Sequence, residues 1–238
     1  MEKKSLEICF SPAMFGAHAD KEAVVVIIDI LRATSSICTA FANGVSRIIP
    51  VATVEEAKRM KKEGYLVAAE RDGFVLDFAD FGNSPFNFTP EKIKGKTVAY
   101  STTNGTGLMH TASECHTVVI GSYLNFTSLC GWLKDQDRKV TIVCAGWKHR
   151  FNLEDTLCAG AMAERLLDEG GFETACDSVH ASLDLWTMAK KDLLGYVEKS
   201  AQRSRLRDKG LDDCLEYCHT FDITSVIPVL REGSLVAM

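Results

Sequence analysis

The chain has 238 residues, with 32 acidic and 27 basic side chains and a formal net charge of -5; that balance, with no basic tract, argues against a dedicated nucleic-acid binder. No apolar run approaches the roughly 20 residues needed to span a bilayer, and the opening Met1-Glu2-Lys3-Lys4-Ser5-Leu6 lacks the apolar region of a secretion signal. The length suits one large α/β domain over 1–238, or two closely packed halves at 1–95 and 96–238, and nine scattered cysteines suit a reducing cytoplasm.

In chain order, 6–10 reads as a short strand and 12–20 as a loop. The six apolar residues Ala23 to Ile28 follow without a break, as in a strand buried on both faces of a parallel sheet. The run ends on Asp29; Arg32, Thr34, Ser35 and Ser36 follow, and then a helix over 37–43 that Gly44 stops. A strand at 47–51 leads to Thr53-Val54-Glu55-Glu56, a capping box, and a helix over 54–62. A strand at 65–69 ends at Glu70-Arg71. The segment 72–90 shows no helical period, and long irregular stretches inside compact domains are often functional.

The pattern then restarts. A strand at 97–100, the polar loop Ser101 to Gly107, a helix over 108–112, a strand at 118–121 and a helix capped by Asn125 repeat the first half. Ile27 to Ile48 and Val98 to Val119 share one spacing, which suggests duplication at an offset of 71 residues. A strand at 140–144 leads through Trp147-Lys148-His149-Arg150 to a helix with Asn152 as N-cap and Glu154 and Asp155 in its first turn. Helices are expected over 173–189 and 211–219, and a last strand at 226–230 that Pro228 assigns to a sheet edge. Alternating strands and helices predict a three-layer α/β/α fold on a mostly parallel or mixed sheet. Cys214, Cys218 and His219 can share a helix face, but their spacing fits no common zinc pattern.

Polar clusters follow five strand ends, where ligands of open α/β sheets bind. Arg32, Arg71 and Arg150 offer forked donors for phosphate or another oxyanion. Thr34, Ser35, Asn83, Ser84 and the run Thr102, Thr103, Asn104, Gly105, Thr106 offer hydroxyls, amides and backbone N–H groups. Asp29, Glu70 and Glu154 offer hard oxygen ligands suited to Mg²⁺, and Asp155 is a candidate proton donor. Arginines, an anion nest and carboxylates together are what phosphoryl chemistry on a small polyanionic phosphomonoester requires. No P-loop, nucleophile elbow or His-Glu-x-x-His is present.

Asp29-Ile30-Leu31-Arg32-Ala33-Thr34-Ser35 with Ala42-Asn43-Gly44, Glu70-Arg71, Asp80-Phe81-Gly82-Asn83-Ser84-Pro85, Thr102 to Thr106, and Arg150-Phe151-Asn152-Leu153-Glu154-Asp155 with Ala159-Gly160-Ala161 together resemble the 2-phosphosulfolactate phosphatase (ComB-like) family. The resemblance covers residues 23–167, with an echo at Asp222 and Val226-Ile227-Pro228. It implies an α/β/α fold and Mg²⁺-dependent hydrolysis of 2-phosphosulfolactate to sulfolactate and phosphate, a step toward coenzyme M. Phe78-Ala79 stands where the family carries Gly-Phe, and Gln202-Arg203 where a His-Gly pair is expected. A non-hydrolytic binding protein for a phosphorylated or sulfonated metabolite uses the same arginines and nest and stays open, as does assembly into a homo-oligomer.

Two chemical roles fit Asp29. It is either a nucleophile that forms an aspartyl phosphate or a ligand of the metal. Leu31 stands where aspartyl-phosphate phosphatases carry a second Asp, and this favours the ligand.

Overall fold

The apolar run Val24–Ile28 is buried along its whole length, as a strand covered on both faces must be. In the structure, a computed structural model that describes residues 3–102 and 105–238, it belongs to a single 11-stranded sheet among the described residues. The strands are β1 (Lys4–Cys9), β2 (Val24–Ile28), β3 (Arg47–Pro50), β4 (Leu66–Arg71), β5 (Phe74–Val75), β6 (Thr97–Ser101), β7 (Thr117–Gly121), β8 (Val140–Cys144), β9 (Phe172–Glu173), β10 (Pro228–Arg231) and β11 (Ser234–Ala237). Their order across the sheet is β5-β4-β6-β3-β11-β10-β7-β2-β8-β1-β9. β7, β2, β8, β1 and β9 run parallel, as do β3, β6 and β4. The antiparallel hairpin β10–β11 joins these two blocks, pairing with β7 on one side and β3 on the other.

The order strand, helix, strand, helix, strand occurs twice. It runs β2, helix Ala33–Ala42, β3, helix Val54–Lys62, β4, and again β6, helix Gly105–Thr111, β7, helix Phe126–Asp135, β8. The repeats are interleaved: β2 lies between β7 and β8, and β6 between β3 and β4. The helix Ala33–Ala42 is buried from Ala33 through Phe41. Ile37, Cys38 and Phe41 share a core with residues of both blocks, Val25 and Ile120 on one side and Ile48, Ala68 and Tyr100 on the other. The sheet coils around this helix, a bend that the right-handed twist of strands makes natural. The helices Phe126–Asp135, Leu153–Asp168 and Asp177–Ala189 cover the opposite face of the first block, and Val54–Lys62 covers that of the second. The result is three layers, α/β/α.

Several elements depart from the expected boundaries. The helix after β2 begins at Ala33, not Ile37, because the Asp29 carboxylate accepts from Ala33 N (3.2 Å) and the Asp29 carbonyl from Thr34 N (2.9 Å). Segment 12–20 contains a 3₁₀ turn, Pro12–Met14, and a helical turn, Phe15–His18. Asn125 does not cap its helix; its Oδ1 accepts from Ser122 N instead. The cap comes from Asp222, whose carboxylate accepts from Thr127 N (2.7 Å) and Thr127 Oγ1 (2.8 Å). The helix expected from 173 starts at Asp177, since Phe172–Glu173 pairs with β1. Over 211–219 only the turn Leu215–Cys218 is helical. Pro228 is not at an edge: β10 is central, and the ring is accommodated at its first residue.

Gly160 lies where the helices Leu153–Asp168 and Asp177–Ala189 touch. A Cβ there would overlap the Ser182 carbonyl oxygen and come within 3.0 Å of Trp186 Cβ. In an open helix Gly→Ala stabilises by about 1 kcal/mol. Here Gly160→Ala is expected to cost about 1–3 kcal/mol instead, seen as a lower urea midpoint at unchanged m-value.

Candidate active site

The turn that follows β2 is assembled by its own polar groups. Asp29 N donates to Thr34 Oγ1 (2.9 Å), and Thr34 Oγ1 donates to the Asp29 carbonyl (3.0 Å). Ser35 Oγ donates to the Ile30 carbonyl (2.9 Å) and Ser36 Oγ to the Asn83 carbonyl (3.0 Å). These bonds hold Asp29 and Arg32 on the floor of a pocket that encloses about 490 Å³, mouth included. Both side chains are almost wholly buried. The Leu31–Arg32 peptide between them is cis, and Arg32 Nη1 donates to the Leu211 carbonyl (3.3 Å).

The second block supplies the facing wall with Glu70, Asn83 and Thr102. Glu70 Oε2 accepts from Gly73 N (2.6 Å), within a two-residue Asp72-Gly73 turn in which both residues have positive φ. Such turns are the common link of tight hairpins, and this one joins β4 to β5. Tyr100, from β6, donates its hydroxyl hydrogen to Asn83 Oδ1. The Asn83 amide is thereby oriented with its NH₂ as the remaining donor.

Three carboxyl groups gather behind and beside this floor. Burial pushes Asp29 up to about 7; the Glu70 charge adds to the rise, while Ala33 N–H and Arg32 oppose it. Burial also pushes Glu154 up to about 7, with Asp29 adding and Arg205 opposing. Both Glu154 oxygens are buried with no hydrogen-bond partner among the described residues. Burial raises Asp155 well above the ordinary carboxyl range, helped by Glu154 and Asp29. Asp155 Oδ1 accepts from Ile30 N (2.8 Å) and Oδ2 from Gly146 N (3.1 Å). It therefore ties the ends of β2 and β8 together and is not among the residues that line the pocket, where a proton donor was expected.

The structure redistributes the other expected residues. Thr34 and Ser35 are fully buried and spend their hydroxyls on the turn. Arg71 donates to the Glu70 carbonyl (2.6 Å) and Ser101 Oγ (3.0 Å), away from the pocket lining. Arg150 is exposed on a turn in which Lys148 and His149 have positive φ. The Ser84 hydroxyl is buried without a partner among the described residues and does not line the pocket. Thr103 and Asn104 lie outside the described residues; Gly105 and Thr106 enter as the start of the helix Gly105–Thr111. Cys214, Cys218 and His219 form no metal group among the described residues. The His219 ring, pushed down to about 4 by burial, bonds the Leu215 carbonyl.

In place of Arg71 and Arg150, the pocket roof brings residues to which the sequence assigned no site role, although Gln202 was marked as a departure from the family pattern. Trp147, Gln202, Arg205 and Lys209 line it, three of them from the helix Ala201–Asp208 and the turn after it. That helix is polar nearly throughout and reads as a solvated face, so nothing in its pattern marks it. Lys209 donates to the Asp72 carbonyl, and Lys148 pairs with the Asp72 carboxylate at 2.9 Å, so three loops are latched over the pocket. Asp72-Gly73 was readable as a hairpin signal.

Among the described residues no three His, Cys, Asp or Glu side chains converge closely enough to hold a metal by themselves. The expected set Asp29, Glu70 and Glu154 is thus not a ready-made cage, because Glu154 is buried and is not among the residues lining the pocket. Asp29 and Glu70 do share the pocket. Two carboxylates completed by water and phosphate oxygens are the usual donor set of Mg²⁺, so the residues present fit that ion.

Residues 9–233 match the profile of the 2-phosphosulpholactate phosphatase family. Similar curated proteins include a probable 2-phosphosulfolactate phosphatase of Caldanaerobacter subterraneus subsp. tengcongensis, 36% identical over 217 residues that cover 90% of each chain. One of the same description from Thermotoga maritima is 37% identical over 213 residues, covering 89% of this chain and 90% of its own. A third, from Clostridium novyi, is 33% identical over 211 residues, covering 87% and 89%.

The buried carboxyls make stability depend on pH. A carboxyl whose folded pKa is raised holds its proton in the native state, so stability falls as pH rises from the unfolded value to the folded one. For Glu154 that window runs from about 4.5 to about 7. Glu154→Gln removes the ionisation. In chelator-treated protein, the stability of the variant relative to wild type is expected to improve between pH 4.5 and pH 8 by on the order of 3 kcal/mol. Denaturant titrations at the two pH values measure it; an equal difference at both would exclude a raised Glu154.

Proposed function

The chain belongs to the 2-phosphosulpholactate phosphatase family, and from that premise we propose that the pocket at the end of β2 hydrolyses 2-phosphosulfolactate to sulfolactate and inorganic phosphate. Family membership makes the chain a phosphoric monoester hydrolase, which decides between the two readings the sequence left open. No helix among the described residues is long and apolar enough to cross a membrane. The observation that carries the substrate reading is the meeting of Asp29 and Arg32 with Glu70, Asn83 and Thr102 in one pocket. A forked cation, an oriented amide and two carboxylates converge there on the space a phosphoryl group would fill. On this reading the step leads toward coenzyme M, an assignment that rests on the family resemblance and on no residue of the site.

In this mechanism the buried Arg32 guanidinium, steadied by the Leu211 carbonyl, binds the phosphoryl oxygens through its remaining N–H groups. The Asn83 NH₂ donates beside it. Asp29 and Glu70 are the groups that would hold Mg²⁺, which when bound neutralises phosphoryl charge and activates an oxygen nucleophile. Asp29 is held in place by the Ala33 N–H, and in the metal-free pocket its burial raises its affinity for a proton. The ester P–O bond breaks, water adds to phosphorus, and the sulfolactate oxygen leaves with a proton.

Phosphate release from 2-phosphosulfolactate is expected with Mg²⁺ and to fall to background after chelation; equal rates in both conditions would remove the metal from the scheme. Asp29→Asn is expected to lower kcat/KM at least ~100-fold. Arg32→Lys, which keeps the charge and loses the fork, is expected to lower it at least ~10-fold. Near-normal turnover in both variants would place the chemistry elsewhere. Mass analysis after borohydride trapping distinguishes the ligand role from the nucleophile: an adduct on the Asp29 peptide would make Asp29 the nucleophile.

A further inference from the structure

The helix Ala201–Asp208 carries three arginines in different electrical situations. Arg203 pairs with Glu198 (2.8 Å) and with Asp212. Arg207 pairs with Glu198 (3.2 Å). Arg205 makes no ion pair within 4 Å among the described residues, yet it lines the pocket. Its Nε and Nη2 both donate to the neutral Gln202 Oε1 (2.9 and 2.7 Å). Its guanidinium carbon lies 4.1 Å from the Trp147 ring centroid. Gln202 in turn donates from Nε2 to the Leu31 carbonyl (2.8 Å), beside Arg32. One edge of the guanidinium is therefore clamped by an uncharged amide and one face covered by an indole. The clamp is anchored to the turn that carries Asp29 and Arg32. The acidic group whose field reaches Arg205, Glu154, is buried, does not line the pocket and makes no ion pair with it within 4 Å.

A fixed, half-buried cation that opens into a pocket without a carboxylate partner is built to receive an anion from outside the protein. Resting on the phosphatase reading above, we infer that Arg205 is a specificity-determining residue that binds the second acidic group of the substrate, a sulfonate or carboxylate, while Gln202 acts as its positioning residue. Arg32 then takes the phosphoryl group and Arg205 the acid at the other end of a small polyanion. The enzyme selects acidic phosphomonoesters over simple ones because an uncharged substituent leaves Arg205 desolvated and unmatched.

The test compares kcat/KM for 2-phosphosulfolactate and for phenyl phosphate, which has no second acid, in wild type, Arg205→Met and Arg205→Lys. The preference for the acidic substrate is expected to fall at least fivefold in Arg205→Met; a smaller fall overturns the inference. Arg205→Lys, which keeps charge and length, serves where Arg205→Met does not fold, under the same fivefold criterion. Gln202→Leu is expected to raise KM for 2-phosphosulfolactate severalfold while kcat stays within twofold; a loss of kcat shared by both substrates would make Gln202 merely structural. Phospholactate, with the carboxylate alone, and phosphorylated hydroxyethanesulfonate, with the sulfonate alone, show which acid loses its preference in the Arg205 variants. Wild-type protein that releases no phosphate from 2-phosphosulfolactate overturns both the functional reading and this inference. Wild-type turnover with an unchanged preference in the variants overturns the Arg205 assignment alone.

Discussion

A helix buried on every side needs both walls and partners, and the helix Ala33–Ala42 imposes that need on the whole molecule. Its Ala, Ser, Thr and Cys side chains are small enough for the sheet to approach closely. Each buried hydroxyl must still find a partner, because an unbonded one costs about 1–3 kcal/mol. Thr34 and Ser35 find theirs in the preceding turn, Ser36 in the Asn83 carbonyl, and Thr39 in the Ser35 carbonyl and the Tyr217 hydroxyl. The bonds to Asn83 and Tyr217 reach across the chain to segments 47 and 178 residues away. Satisfying one helix thus fixes the loop that carries Asn83 against the turn that carries Asp29.

The coiled sheet is the second consequence. The hairpin β10–β11 reverses strand direction between the two parallel blocks, so a flat sheet would set the ends of β4 and β6 against the starts of β2 and β7. Wrapping around the helix brings those ends together instead. Tyr100, at the end of β6, reaches the Ala33 carbonyl (3.4 Å) and Asn83. Glu70, at the end of β4, comes close enough to Asp29 to raise its pKa. The pocket is a product of curvature, with one wall from each parallel block.

Electrostatics inside the pocket follows from this burial. Asp29, Glu154 and Asp155 are each nearly sealed from solvent, and desolvation is the largest cause of the rise in all three. They meet the problem differently. Asp155 spends both oxygens on backbone N–H groups, Asp29 opens toward the cavity, and Glu154 has no donor among the described residues. Clustered carboxyls that lean toward their neutral forms near pH 7 are common where a protein handles phosphoryl or metal charge.

Local pattern made much of this legible. The buried run of β2, the capped helix Val54–Lys62, the strand β8, the repeat and the polar strand ends are readable because hydrophobic period and capping chemistry act over a few residues. Asp29, Arg32, Glu70, Asn83 and Thr102, all marked from those strand ends, do share the pocket. The sequence alone did not determine which arginines face inward. Arg71 and Arg150 carry the same chemistry as Arg32 but end on the backbone and on the surface. Arg205 and Gln202, hidden in a helix with no apolar period, supply the roof. Nor did local pattern reveal that Asp222 caps a helix 95 residues away or that a proline-led strand sits in the middle of the sheet. Propensity sees neighbours along the chain, whereas direction, burial and partnership across it are decided by how the sheet coils around one helix.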